Sequence, residues 1–410
     1  MLHPLYLLYL LLSPLIYLLL LLSIPFNKKI RTHFFEQKKE FKKIQNQKIE
    51  NSIIIHAASA GEFEQVKPIL RVKNNSNNVI QTFFSPTIFN KEKKSTLFTL
   101  CCYHPFDFPW SAFYFFYKLK PKKYIINRHD IWPHHIVIAK LLKINIIYIN
   151  ANLKNDSSRT KLLFKNFHKW LFKKIDIIIV PSKDIQNRFN NFFNINTTQV
   201  LQDTRYFQIQ HRINKKLFPI PQWIKNNDIV ILGSIDVKDW EIIKESLSFV
   251  KSEKLRLIIV PHEIDKYFIN KMIEDLKEHH FIIKRLSDIK NEESFDAIIY
   301  DKVGDLLDLY KYGNLAYVGC GFSHGVHNVL EPALQGCFVS YGPNISLLDE
   351  AIQLDNSQLG KKINNLNDFL NFLRTNNKLD FLTQNKSRVN ELFKIDHADF
   401  EKMVNIIYEK

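Results

Sequence analysis

The residues best suited to chemistry stand on short turns that carry glycine. From Tyr317 to Gly336 the chain reads YVGCGFSHGVHNVLEPALQG and holds four of its ten glycines, Gly319, Gly321, Gly325 and Gly336. Glycine admits positive φ and close approach of backbone to a ligand but costs conformational entropy, so a glycine-poor chain that clusters it needs that geometry. The apolar run 315–318 reads as a buried strand and 328–334 as a helix. A strand, a glycine turn and a helix start present free N–H groups and the positive end of a dipole, which suits a phosphate. Asn328 can cap the helix, and Glu331, one turn in, can accept ribose hydroxyls. The same pattern also describes a tight strand-to-helix connection with an N-cap.

A second such turn lies in HAASAGEFEQVKPIL, residues 56–70. Gly61 lets the chain turn, and Glu62 opens the next helix, where a carboxylate is electrostatically favoured. Position alone leaves open a helix-initiating acid or a general base at a cleft. His324 and His327 flank Gly325, but a metal needs further ligands in regular geometry, so no metal is expected there.

The elements that must hold these turns alternate. Short β-rich runs at 53–55, 79–84, 124–126, 144–149 and 175–180 are separated by helical candidates, notably 62–72 and 136–142. Strands resume at 229–232, 255–260, 281–283, 297–300, 315–318 and 338–340. Alternation of this kind argues for parallel sheets covered on both faces, with ligands at the carboxyl ends of the strands. Gly233, Ser234, Pro261, His262, Gly304 and Asp305 all follow strands of the second set, and Arg205 comes shortly after Val200, at the end of a possible further strand. Residues 208–225 carry charges, Pro219 and Pro221 and no period, as an interlobe connection does.

Composition narrows the partners. The chain has 57 Lys+Arg against 41 Asp+Glu, a net charge of +16. Such an excess fits nucleic acid, an anionic membrane surface or a phosphorylated substrate, and in part reflects a general use of Ile, Asn, Lys and Phe. No RNA-binding aromatic signature or zinc pattern is present, and basic residues crowd behind an apolar segment, which disfavours nucleic acid. That segment, residues 2–26, has no Asp, Glu, Lys or Arg and is long enough to cross a bilayer of roughly 30 Å. It lacks the basic start and small-residue cleavage site of a signal peptide, so it is expected to be retained. Lys28, Lys29, Arg31, Lys38, Lys39, Lys42 and Lys43 follow, favouring the cytoplasmic side and attraction to anionic lipids. Pro14 and the tyrosines Tyr6, Tyr9 and Tyr17 allow either a span or a segment lying in one leaflet. Cys101, Cys102, Cys320 and Cys337 show neither CxxC nor Cys/His metal spacing, and the adjacent Cys101 and Cys102 are poor candidates for a structural disulfide, which suits a reducing compartment.

Read together, His56, Ala58, Ser59, Gly61 and Glu62, then Thr82, Phe84, Ser85 and Pro86, then Gly319, Gly321, Phe322, His327, Asn328, Leu330, Glu331 and Pro332 resemble the 3-deoxy-D-manno-octulosonic acid (Kdo) transferases, in order over most of the chain. The resemblance implies an α/β GT-B fold, two Rossmann-like lobes with a cleft between them, behind a membrane anchor. It partitions the chain into an anchor at 1–27, an acceptor lobe at 28–210, a linker at 211–225 and a CMP-sugar lobe at 226–410, whose last helix, near 398–409, packs back across the first lobe. It implies inverting transfer of Kdo from CMP-Kdo to a lipid A precursor without metal or other cofactor. Glu62 then stands at the proton acceptor's position. Asp130, in RHDIWPHH, and Arg205, in QDTRYF, stand at the positions assigned to transition-state stabilisation. Pro261 and His262, Val303, Gly304 and Asp305, and Asn328, Val329, Leu330 and Glu331 stand at the CMP-contact positions. The sequence departs from the family's usual residues at Asp130 (Glu), Asn152 (Arg), Gln202 (Gly), Pro261 (Arg), Asp305 (Glu), Cys320 (Gly) and Ile235-Asp236 (Thr-Trp). A rival expectation is another GT-B glycosyltransferase using a UDP- or GDP-sugar; a membrane-tethered nucleic-acid-binding protein fits less well.

Overall fold

Runs of Ile and Val set the framework. The computed structural model describes residues 2–409 except 46, 48, 50, 73–77, 155–156, 215–227, 286–294, 303 and 347. The chain divides into two compact units, Met1–Gln208 with Ile395–Lys410, and Ile209–Lys394.

In the first unit, β1 (Ser52–Ala57), β2 (Asn78–Phe83), β3 (Leu100–Tyr103), β4 (Lys123–Asn127), β5 (Asn145–Ile149), β6 (Ile177–Val180) and β7 (Thr198–Val200) form a parallel sheet in the order β3-β2-β1-β4-β5-β6-β7. Every residue of β1 is buried, because a parallel strand has helices over both faces and a continuous β-branched run fills that environment. Strand order reverses between β1 and β4, so the loops after these two strands diverge and open a crevice at their carboxyl ends.

Among the helices of this unit, three are set by distinctive residue types. The apolar α1 (Pro4–Ser23) runs unbroken through Pro14. It rests on the unit by a stripe of Tyr6, Tyr9, Ser13 and Tyr17: the Tyr9 hydroxyl donates to the Asp107 carboxylate at 3.1 Å, Ser13 Oγ lies 3.0 Å from His134 Nε2, and Tyr17 packs edge-on against Phe108 and Trp110. The opposite stripe is bare leucine, with Leu11 77% and Leu22 61% exposed. The basic α2 (Lys28–Ile44) is capped by Asn27, whose Oδ1 accepts the Lys29 and Ile30 N–H groups. It is fastened by the buried His33, whose Nδ1 lies 2.7 Å from the Phe84 carbonyl. The third, α3 (Ala60–Arg71), follows β1 directly.

The last helix, His397–Tyr408, joins the first unit: Met403 and Ile407 are fully buried in the cluster that holds Phe63, Val66 and Ile69. The sequence partition counted these residues within the 226–410 lobe; burial of this apolar face groups Ile395–Lys410 with the first unit instead. Of the expected linker, 211–213 end the helix Arg205–Ile213 and 215–225 lie outside the described residues.

In the second unit, β8 (Ile229–Ile235), β9 (Arg256–Pro261), β10 (Ile283–Arg285), β11 (Ala297–Ile299), β12 (Leu315–Val318), β13 (Phe338–Tyr341) and β14 (Gly360–Lys362) form a parallel sheet in the order β10-β11-β9-β8-β12-β13-β14. Its strand order reverses between β8 and β12. Trp240, Leu257 and Tyr317 sit in its core.

Candidate active site

Each sheet brings chemistry-bearing residues to the carboxyl ends of its strands. In the first unit the last turn of β1 carries His56, fully buried, and the parallel register sets it beside Thr82 of β2 and Ile126 of β4. Its Nε2 lies 3.1 Å from Asp130 Oδ2, just beyond β4, and its Nδ1 lies 3.0 Å from Thr82 Oγ1. An ionised carboxylate can only accept, so Nε2 carries a proton toward Asp130. Burial alone pushes the Asp130 carboxyl up, but the His56 hydrogen bond and charge outweigh it and hold Asp130 below the usual carboxylate range.

Glu62 behaves in the opposite way. Ser59 caps α3 by accepting the Glu62 N–H at 3.4 Å, and the Glu62 carboxylate reaches back to accept the Ala58 N–H at 2.8 Å. The side chain is 7% exposed. Burial first, then the charge of Asp130, pushes its carboxyl up to about 7, against the Ala58 N–H, His56 and Arg128. Two neighbouring carboxylates, one held ionised and one titrating near neutrality, are the division of roles that acid–base chemistry requires.

Arg205 opens the helix Arg205–Ile213 and is tied to Asp203, with Asp203 Oδ1 accepting its N–H at 2.8 Å and Oδ2 accepting its Nε–H at 3.0 Å. Asp203 also accepts from Gln65, one turn beyond Glu62 on α3. A chain of amides completes this support: Asn127 donates to the Glu62 carbonyl at 3.0 Å, and Asn150 donates to Asn127 at 2.8 Å. Sequence reasoning missed Arg128, Asp203, Asn127 and Asn150. Asn127 and Asn150 end β4 and flank the end of β5, where polar residues after apolar runs were the available signal.

The second unit gathers most of the remaining candidates at its strand ends. Pro261 ends β9 and His262 follows it, exposed, with its N–H donated to the Ile235 carbonyl at 2.9 Å. Val303 lies outside the described residues. Gly304, at φ 113, offers its carbonyl to Arg212 at 3.1 Å. Asp305 accepts the Tyr300 hydroxyl at 2.7 Å and pairs with Lys302 at 3.0 Å. Asn328 Oδ1 accepts the Leu330 N–H at 3.1 Å. Val329 and Leu330 are buried, and Glu331 is half-buried in the first helical turn.

The helix here is shorter than expected. It runs Leu330–Gln335 with Val329, not Asn328, at the N-cap position. The glycines also serve differently: a Cβ on Gly319 would meet the Ser234 carbonyl oxygen at 2.2 Å, and one on Gly321 would meet the Gly342 nitrogen at 2.6 Å. Both positions need the absence of a side chain for close packing, whereas Gly325, at φ 109, needs the left-handed backbone. Beneath this turn Asp239, fully buried and pushed up to about 7 by that burial, accepts the Tyr317 hydroxyl at 2.7 Å and the Cys320 N–H at 2.6 Å.

Two Rossmann-like units with parallel sheets, each with polar residues at the carboxyl ends of its strands, define an α/β protein of the GT-B type. A solved UDP-GlcNAc 2-epimerase from Neisseria meningitidis bound to UDP-GlcNAc shares this fold with a TM-score of 0.62 at 13% identity, over 87% of this chain and 99% of that one. A family profile described as 3-deoxy-D-manno-octulosonic-acid transferase (kdotransferase) matches residues 30–208. The 3-deoxy-D-manno-octulosonic acid transferase of Aquifex aeolicus is 30% identical over 311 residues, covering 75% of this chain and 80% of that protein. The enzyme of the same name from Chlamydia muridarum is 24% identical over 316 residues, covering 71% and 70%. The chain belongs to the 3-deoxy-D-manno-octulosonic acid transferase family and is a glycosyltransferase.

Proposed function

We propose that the protein transfers Kdo from CMP-Kdo to a hydroxyl of a phosphorylated, acylated disaccharide, the lipid A precursor, in lipopolysaccharide synthesis. The observation that carries this reading is the pair of carboxylates at the first unit's strand reversal, Glu62 raised to about 7 and Asp130 held ionised by His56. Glu62 accepts the proton of the acceptor hydroxyl as the new bond to the sugar forms, and a base tuned near the working pH is the most effective one. Asp130 and Arg205 stabilise charge as CMP departs. Direct displacement of CMP by the hydroxyl inverts the anomeric centre and needs only this single base.

In the second unit His262, Gly304, Asp305, Asn328 and Glu331 are assigned to CMP, with Pro261, Val303, Val329 and Leu330 shaping the loops that carry them. With Pro261 at its position, phosphate charge falls to His262 and to backbone N–H groups.

We further assign the protein to the cytoplasmic face of the inner membrane. The bare leucine stripe of α1 enters one leaflet while its tyrosine stripe stays on the first unit, and the lysines of α2 meet anionic lipid headgroups. A helix fastened to the unit from Tyr6 to Tyr17 supports attachment by one leaflet over a full span.

Calorimetry of the full-length protein in detergent tests the donor. The expected result is binding of CMP with UDP and GDP inert; binding of UDP or GDP with CMP inert would transfer the assignment to another nucleotide sugar.

A further inference from the structure

The loops after β9 and β12 bring three metal-ligating side chains together. The candidate ligand atoms of His262, Cys320 and His327 all lie within 4.8 Å of one another, and the two imidazole rings are 4.5 Å apart between centroids. Among the described residues neither ring makes a hydrogen bond. The expectation of no metal weighed His324 with His327; His324 is absent from this set, and His262 and Cys320 complete it.

Cys320 is held there against its backbone preference. It sits between Gly319 and Gly321 at φ 65, left-handed backbone that disfavours any side chain and is kept where surrounding structure and use require it. The thiol is buried and lies 3.5 Å from the Ser234 carbonyl.

Two carboxylates stand behind the thiol, since Asp236 and Asp239 each bring an oxygen within 4.8 Å of Cys320 and of each other. Asp239 is occupied by the Tyr317 hydroxyl and by the Cys320 and Asp236 N–H groups. Asp236 accepts the Asp239 N–H at 3.0 Å and the Ser323 hydroxyl. These acids therefore supply negative charge to the site, while the two imidazoles and the thiol, whose proton is donated to the Ser234 carbonyl, offer the ligand atoms.

Two imidazole nitrogens and a thiolate form a borderline-soft donor set, which selects Zn²⁺ and similar transition cations over Mg²⁺ or Ca²⁺. We propose that His262, Cys320 and His327 form a binding site for a Zn²⁺-class cation, with water as the fourth ligand. The exposed His262 gives the ion its entry from solvent. Binding replaces the thiol proton with the metal and releases that proton to water. The ion joins the loop after β9 to the loop after β12, so it stabilises the folded second unit by mass action. His262 is also one of the residues assigned to CMP above, but the test needs no nucleotide.

The test titrates Co²⁺ and Zn²⁺ into metal-stripped full-length protein in detergent. Co²⁺ is expected to give a thiolate-to-cobalt charge-transfer band in the near ultraviolet, and Zn²⁺ to raise the melting temperature. Cys320→Gly suits the left-handed backbone and keeps the N–H donated to Asp239, so it folds. It is expected to lose the band, to weaken Co²⁺ binding by at least about 10-fold and to abolish the Zn²⁺-induced rise in melting temperature. His327→Ala is expected to weaken Co²⁺ binding similarly. A wild type without the band, or a band and a melting shift that survive Cys320→Gly, would overturn the proposal.

Discussion

Replacing Glu62 by Gln separates two effects that one buried carboxylate combines. Burial pushes the Glu62 carboxyl from 4.5 to about 7 in the folded protein. Both folded and unfolded forms are protonated below about pH 4.5, so there the ionisation costs nothing. As pH rises from 4.5 towards 7 the unfolded chain ionises first, and the folded state loses stability until both forms are ionised. At about 1.4 kcal/mol per unit the full loss is about 3 kcal/mol at pH 8 and under about 1 kcal/mol at pH 5. Gln keeps the shape and the acceptor for the Ala58 N–H but carries no charge. Glu62→Gln should therefore be more stable than wild type by about 3 kcal/mol at pH 8, with the difference shrinking at pH 5, in urea titrations of the detergent-solubilised protein. Its turnover should fall by at least on the order of 10²-fold, because the proton acceptor is gone. Wild-type turnover should rise nearly tenfold, by order of magnitude, between pH 6 and 8 as Glu62 ionises. A variant with normal turnover and no gain in stability at pH 8 would refute both the buried charge and the base.

The neighbouring groups give further outcomes. Asp130→Asn removes a charge that raises Glu62, so turnover should fall less than in Glu62→Gln and the acidic limb of the pH–rate profile should move below about 7; an upward move would contradict the coupling. Glu331→Ala should weaken CMP binding in calorimetry and leave the melting temperature within a few degrees of wild type, and unchanged CMP affinity would take Glu331 out of the pocket. Leu11→Glu with Leu18→Glu puts charges on the bare stripe of α1, where both leucines are exposed, and should shift the protein from the membrane pellet to the carbonate-soluble fraction; full retention in the pellet would argue against one-leaflet attachment.

What the sequence revealed followed from where physics leaves a local signal. The apolar runs at 53–55, 79–84 and 315–318 became β1, β2 and β12 because a strand buried on both faces must be apolar at successive positions. β3, with adjacent cysteines, and β14, GKK, gave no such run and were missed. The turn before Glu331 was legible from its glycines, but Gly61 lies inside α3 without positive φ and with open space around it, so the turn before Glu62 is made by the Ser59 cap and not by the glycine expected to make it. The His56–Asp130 contact was not, since 74 residues separate the two and only the parallel register of β1 with β4 brings them together. His262, Cys320 and His327 meet for the same reason, through the strand order of the second sheet. Gly319 and Gly321 were read for positive φ and for close approach to a ligand, but what crowds them is the chain itself, because the Ser234 carbonyl and the Gly342 backbone occupy the place of a side chain. Such crowding depends on chain segments distant in sequence and leaves no local pattern.

The central claim, that this chain moves Kdo by means of the Glu62 carboxylate, is tested most directly by one reaction. Wild type and Glu62→Gln are incubated at pH 8 with CMP-Kdo and a tetraacylated, phosphorylated disaccharide acceptor, and the lipid product is weighed by mass spectrometry. The account predicts an acceptor heavier by Kdo with wild type, with CMP released in equal amount, and almost none with Glu62→Gln. An acceptor left unmodified by wild type, or modified equally by both proteins, would contradict it.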